Sequence, residues 1–88
     1  MTQVSDEYAY LTIPPVIDFR PCVGLVLAGM AVRATVGVGD LDDAVESLER
    51  FHSSDSNTRY RFSLGDNSVV VEVEGASSEW RSVVELIS

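Results

Sequence analysis

The sequence predicts a small α+β domain: a mostly antiparallel sheet with helices packed on one face, in the order strand, helix, helix, strand, strand, helix. Three observations carry this expectation. Apolar and polar side chains alternate over Tyr8–Ile13 and again from Arg59 to Glu74. Leu41, Ala44, Val45, Leu48 and Phe51 recur at helical spacing. Between them, Cys22 to Val32 runs eleven positions without a charged or hydrogen-bonding polar side chain. A helix apolar all the way round cannot leave one face in water at no cost, so its outer side needs another layer or a second protein.

The chain has 88 residues, enough for a single domain over 1–88. A domain of this size buries only about 60 to 65% of its unfolded surface. Hydrophobic content of 45% and charged content of 23% are ordinary for a globular protein. Six arginines, no lysine and fourteen acidic residues give a formal net charge of −8. That balance repels a phosphate backbone and makes nucleic acid a poor partner. A single Cys, Cys22, cannot form an internal disulfide and sits among apolar residues as a small hydrophobe. The apolar run is shorter than the roughly twenty residues a bilayer requires, and residues 1–13 lack a signal-peptide pattern, so no membrane role and a cytoplasmic location are expected.

Along the chain, residues 1–7 are polar and expected to be disordered. Tyr8–Ile13 reads as a first strand, closed by Pro14-Pro15. Asp18 is a candidate cap for a helix from Phe19 to about Ala34, with Pro21 in its first turn. Gly24 and Gly29 inside that helix cost about 1 kcal/mol each relative to Ala, and either a close approach or simple tolerance accounts for them. Gly37-Val38-Gly39 breaks the pattern, and Asp40 with Asp43 makes an acidic capping box for the second helix. Beyond the polar loop 52–57, a hairpin with Asp66-Asn67 at its tip sets Tyr60 against Val73, Phe62 against Val71 and Leu64 against Val69. Arg61 then opposes Glu72 and Arg59 opposes Glu74 on the other side, as a solvated charge ladder. Trp80, Val83, Val84 and Ile87 follow at i, i+3, i+4 and i+7 after Ser77 or Ser78, which predicts a last helix with Trp80 in the core.

Catalytic equipment is sparse. His52 is the sole imidazole, so no His pair or Ser-His-Asp set can be assembled with a spare base, and its place near a helix end suits a cation beside the dipole. Asp40, Asp42 and Asp43 lack the spacing of a calcium loop and fit first-turn acids better. Gly37-Val-Gly39 has no third Gly at the offset of a dinucleotide fingerprint. No cofactor and no metal are expected.

Ile13-Pro14-Pro15, the helix ending near Arg33-Ala-Thr-Val, the segment Gly39-Asp-Leu-Asp-Asp-Ala-Val-Glu-Ser-Leu-Glu49 and the hairpin together resemble the N-terminal part of the anti-sigma-factor serine kinases, of the histidine-kinase-like ATPase superfamily. The similarity covers residues 8 to 74 in order and length. It implies a second helix in which an acidic residue and an Asn four positions later activate water and hold magnesium. Here Glu49-Arg-Phe-His-Ser53 keeps the acid and has Ser for the Asn. The family's adenine-recognising Asp-x-Gly-x-Gly loop is matched only by Glu72-Val-Glu-Gly75-Ala-Ser, and no glycine-rich lid follows. The resemblance therefore implies a shortened, degenerate relative without a nucleotide site. In the family the first helix also tends to offer an Arg to its partner, where this chain has Val23.

The leading expectation is a non-enzymatic regulatory domain that binds protein, a sigma factor or an anti-sigma antagonist, and forms a homodimer through Val23, Val26, Leu27 and Met30. At about 25 cal/mol per Å2 of apolar area, burying both copies contributes several kcal/mol. Two other readings stay open: an ATP-binding kinase with a divergent pocket at Glu49 and Ser53, and a generic small α+β domain.

Overall fold

A five-stranded antiparallel meander, in spatial order β1-β2-β3-β4-β5, forms the floor of the computed structural model, which describes residues 2–4, 8–34, 41–65 and 67–87. Its strands are β1 (Thr2–Val4), β2 (Tyr8–Ile13), β3 (Thr58–Gly65), β4 (Ser68–Glu74) and β5 (Trp80–Ile87). Two helices, α1 (Cys22–Arg33) and α2 (Leu41–Glu49), are inserted between β2 and β3. The α+β class follows as the sequence predicts. Gly37-Val-Gly39 and the Asp40 half of the capping box lie outside the described residues.

β2 is where the alternation places it. Ala9, Leu11 and Ile13 are buried, while Tyr8, Tyr10 and Thr12 point to the other face and are half-buried. The hairpin register is also as expected, with Tyr60↔Val73, Arg61↔Glu72, Phe62↔Val71 and Leu64↔Val69 paired. Asn67 in the turn adopts φ 57°, the left-handed region that Asn tolerates and two-residue hairpin loops require. Of the start expected to be disordered, Thr2–Val4 form a strand that pairs with β2, Thr2 opposite Leu11 and Val4 opposite Ala9, and residues 1 and 5–7 lie outside the described residues. Such pairing satisfies one edge of β2, whose other edge is taken by β3.

The expected last helix is a strand. β5 runs antiparallel to β4, with Val71↔Val84 and Glu72↔Ser82 as successive pairs, so Val83 is an extra residue on β5. That bulge moves the alternation by one position and lets both Val83 and Val84 pack against the core. A strand broken in this way imitates the i, i+3, i+4 spacing of a helix, which is why the periodicity misleads. The connection is a short turn in which Gly75 N–H donates to Glu79 O at 2.7 Å and Ser78 N–H to Gly75 O at 3.0 Å. Ser78 there has φ 63°. Trp80, expected in the core, lies half-buried on the open sheet face instead.

The helix expected from Phe19 begins later. Ile17–Phe19 forms a 3-10 turn, and α1 starts at Cys22 with Pro21 as its N-cap residue. Pro21 has no N–H to give the Ile17 carbonyl, so an α-helical ladder cannot run through it and restarts beyond it. Phe51, expected on the buried face of α2, is 45% exposed. The helix ends at Glu49, and the chain tightens so that Phe51 N–H donates to Leu48 O, which rotates Phe51 off that face.

Both helices pack on one side of the sheet. The core contains Leu11, Ile13, Val23, Leu27, Leu48, Tyr60, Phe62, Val69 and Val71, all fully buried. Tyr60 brings a hydroxyl into this layer and donates it to the Leu48 carbonyl of α2 at 2.7 Å. Burial, and then the negative charge of Glu49, pushes that phenol up to about 12, against a smaller opposite effect of Arg20.

Candidate functional site

α1 shows three sides with three different neighbours. Val23, Leu27 and Ala31 recur at i, i+4 and i+8, and all three are completely buried in the core. Gly24 lies against α2: a Cβ at that position would come within 3.0 Å of Val45 Cγ1. The glycine there permits a close helix approach, whereas a methyl group at Gly29 would meet nothing within 4 Å, so that glycine is simply tolerated. On the third side Pro21, Leu25, Gly29 and Val32 are exposed. Leu25 is 75% exposed and Val32 71%.

This distribution corrects the residues expected to meet a partner. Val23 and Leu27 are spent inside the protomer, and Val26 and Met30 are half-buried against the same core. The helix does leave apolar side chains in water, but they are Leu25 and Val32. Sequence spacing makes both stripes equally apolar and equally helical, so nothing in the pattern chooses between them. Only the position of the sheet does.

Other apolar side chains are exposed around the entry to α1: Val16 at 44%, Ile17 at 63% and Phe19 at 40%. Ile17 also lines a cleft of about 320 Å3 with Pro15, Arg20, Glu49, Arg50, His52 and Ser54. Within it Arg20 Nε stands 3.6 Å from Glu49 Oε1, and His52 Nε2 donates to the Pro14 carbonyl at 3.2 Å. No signal in the sequence announces that Arg20 and the end of α2 meet, because they are separated by the whole helical layer in chain order.

The residues brought forward by the family resemblance each have partners within the chain. Glu49 is paired with Arg20. Ser53 Oγ accepts the backbone N–H groups of Asp55 and Ser56 at 3.0 and 3.2 Å, a local turn that organises the 52–57 loop. Glu72 and Glu74 are turned to the open sheet face, where they meet Arg61 and Arg59. Among the described residues no group of three or more His, Cys, Asp or Glu is placed to hold a metal ion, and Asp42 and Asp43 are exposed in the first turn of α2.

The open face of the sheet carries the charge ladder as expected, with more built on it. Arg61 donates two hydrogen bonds of 2.8 Å to the Glu72 carboxylate, which hold its guanidinium protonated even more firmly than usual. The same guanidinium lies 4.5 Å from the Tyr8 ring and 4.6 Å from the Trp80 ring. Arg59 bonds Glu74 at 2.8 Å and also approaches Trp80. Tyr10 and Trp80 have ring centroids 5.9 Å apart. The rings and guanidiniums shield each other, so this face is a self-satisfied cover for the sheet rather than a bare platform.

No family model, no curated protein and no solved structure matches this chain. No helix among the described residues is long and apolar enough to cross a membrane.

Proposed function

We propose that the chain is a non-enzymatic regulatory domain that binds protein through the outer stripe of α1, with a second copy of itself as the first occupant. The observation that carries this reading is the exposure of Leu25 and Val32, two turns apart on one side of a helix whose opposite side is fully buried. Local charge leaves that spot open to self-association. The chain has fourteen acidic residues and a net charge of −8, yet α1 contains none of the acids, so two such helices can meet without opposing carboxylates. A two-fold axis through the stripe lets each Leu25 and Val32 cover the other copy.

The resemblance to anti-sigma serine kinases supports a cytoplasmic regulatory role and makes a sigma factor or its antagonist a further partner class. It supports no nucleotide chemistry, since the Asn position is Ser53 and the adenine loop keeps one glycine.

Light scattering after gel filtration tests the proposal. At high micromolar concentration the wild type is expected to have twice the protomer mass, and Leu25→Asp with Val32→Asp the protomer mass with unchanged circular dichroism. A wild-type monomer under those conditions overturns self-association. Calorimetric titration with ATP and magnesium tests the other half: saturable binding at micromolar concentration overturns the non-enzymatic reading.

A further inference from the structure

The cleft at the end of α2 collects positive charge in a strongly acidic protein. Of six arginines and one histidine in the chain, Arg20, Arg50 and His52 line this one space of about 320 Å3, against a single lining carboxylate, Glu49. Two of these groups are incompletely engaged. Arg20 Nε is buried and has no hydrogen-bond partner, because its contact with Glu49 at 3.6 Å is an ion pair too long for a hydrogen bond. Arg50 bonds Glu46 at 3.1 Å, but both side chains are about two-thirds exposed, and such solvated pairs exchange at little cost.

We infer that this cleft binds a small monocarboxylate with a short apolar body. The charge suits no more than a single negative group. The His52 Nε2–H is given to Pro14, and the two guanidiniums against Glu49 leave one positive charge in the lining. The C-terminal carbonyls of α2 and the nearby Glu46 weigh against every negative charge in proportion to its size, so a monoanion is tolerated better than a phosphate dianion. Guanidinium groups present paired N–H donors matched to a carboxylate. Pro15 and the 63% exposed Ile17 supply an apolar wall for the rest of the ligand, and the space is several times larger than a carboxylate alone requires. A ligand there touches the residues leading into α1 and those leaving α2, so it ties the two helices together at one end. This site is separate from the Leu25 and Val32 stripe, and its fate does not depend on self-association.

Titration of the full chain with 3-methylbutanoate, followed by amide NMR shifts, tests the inference. Saturable shifts are expected at residues 15–20 and 49–54, with a dissociation constant below about 1 mM. The uncharged 3-methylbutanamide and inorganic phosphate are each expected to bind at least about tenfold more weakly. Arg20→Gln is expected to weaken binding about tenfold, and Arg50→Gln, exposed and harmless to folding, about threefold. Arg33→Gln, at the far end of α1, is expected to leave it unchanged. Failure to saturate by about 10 mM overturns the inference. So does phosphate binding as tightly as the carboxylate, or equal weakening by Arg33→Gln and Arg50→Gln.

Discussion

Leu27 and Leu25 are the same residue type, two positions apart on one helix, and one is completely buried while the other is 75% exposed. The inner stripe of α1, Val23, Leu27 and Ala31, sits on the sheet; the outer stripe, with Leu25 and Val32, faces water. No difference in side-chain chemistry separates them. Apolar composition specifies how much surface wants cover, and the position of the neighbouring layer specifies which part receives it.

Substitution on the two stripes is the sharpest way to break that contrast. Leu27→Ala is expected to destabilise the fold by about 2 to 5 kcal/mol, as a core truncation leaving a cavity. Leu25→Ala is expected to change protomer stability by no more than about 0.5 kcal/mol. Urea unfolding of both variants, at a concentration where the protein is monomeric, checks the pair. Equal losses would mean that the outer stripe is also covered within one protomer.

Next in size is an effect of pH on the inner layer. The Tyr60 phenol, raised from 10 to about 12 by burial, is neutral in the folded protein at pH values where the unfolded chain ionises it. The folded state then binds more protons, so this contribution is fully present below pH 10 and is lost as pH rises through about 12, by roughly 2 to 3 kcal/mol. Alkaline denaturation followed by circular dichroism is expected to steepen over that range. Tyr60→Phe removes this part of the pH dependence.

The smallest expected effect compares the two glycines of α1. Gly29→Ala enters open space and is expected to raise stability by about 0.5 to 1 kcal/mol through helix propensity. Gly24→Ala meets Val45 at 3.0 Å and is expected to lose that gain or reverse it. Thermal unfolding of the two variants measures the difference, and a Gly24→Ala protein as stable as Gly29→Ala would deny a tight α1–α2 contact.

The hairpin was fully legible because cross-strand neighbours sort by chemistry: Phe62 with Val71, Arg61 with Glu72. Register errors there would put charge into the core, which leaves one solution. β5 was not legible because its bulge at Val83 replaces a period of two with an irregular spacing that copies a helix. The cleft was not legible either, since Arg20 and His52 are brought together only by the folding of α1 and α2 over the sheet.

Local periodicity and side-chain type, which are properties of the chain, were enough for the α+β class, β2, the β3–β4 register and the two helices. Tertiary structure alone decided that the last segment completes the sheet, that α1 turns Leu27 inward and Leu25 outward, and that three basic side chains share one cleft. Those outcomes depend on which surfaces are already occupied when the layers meet, and no stretch of residues carries that information locally.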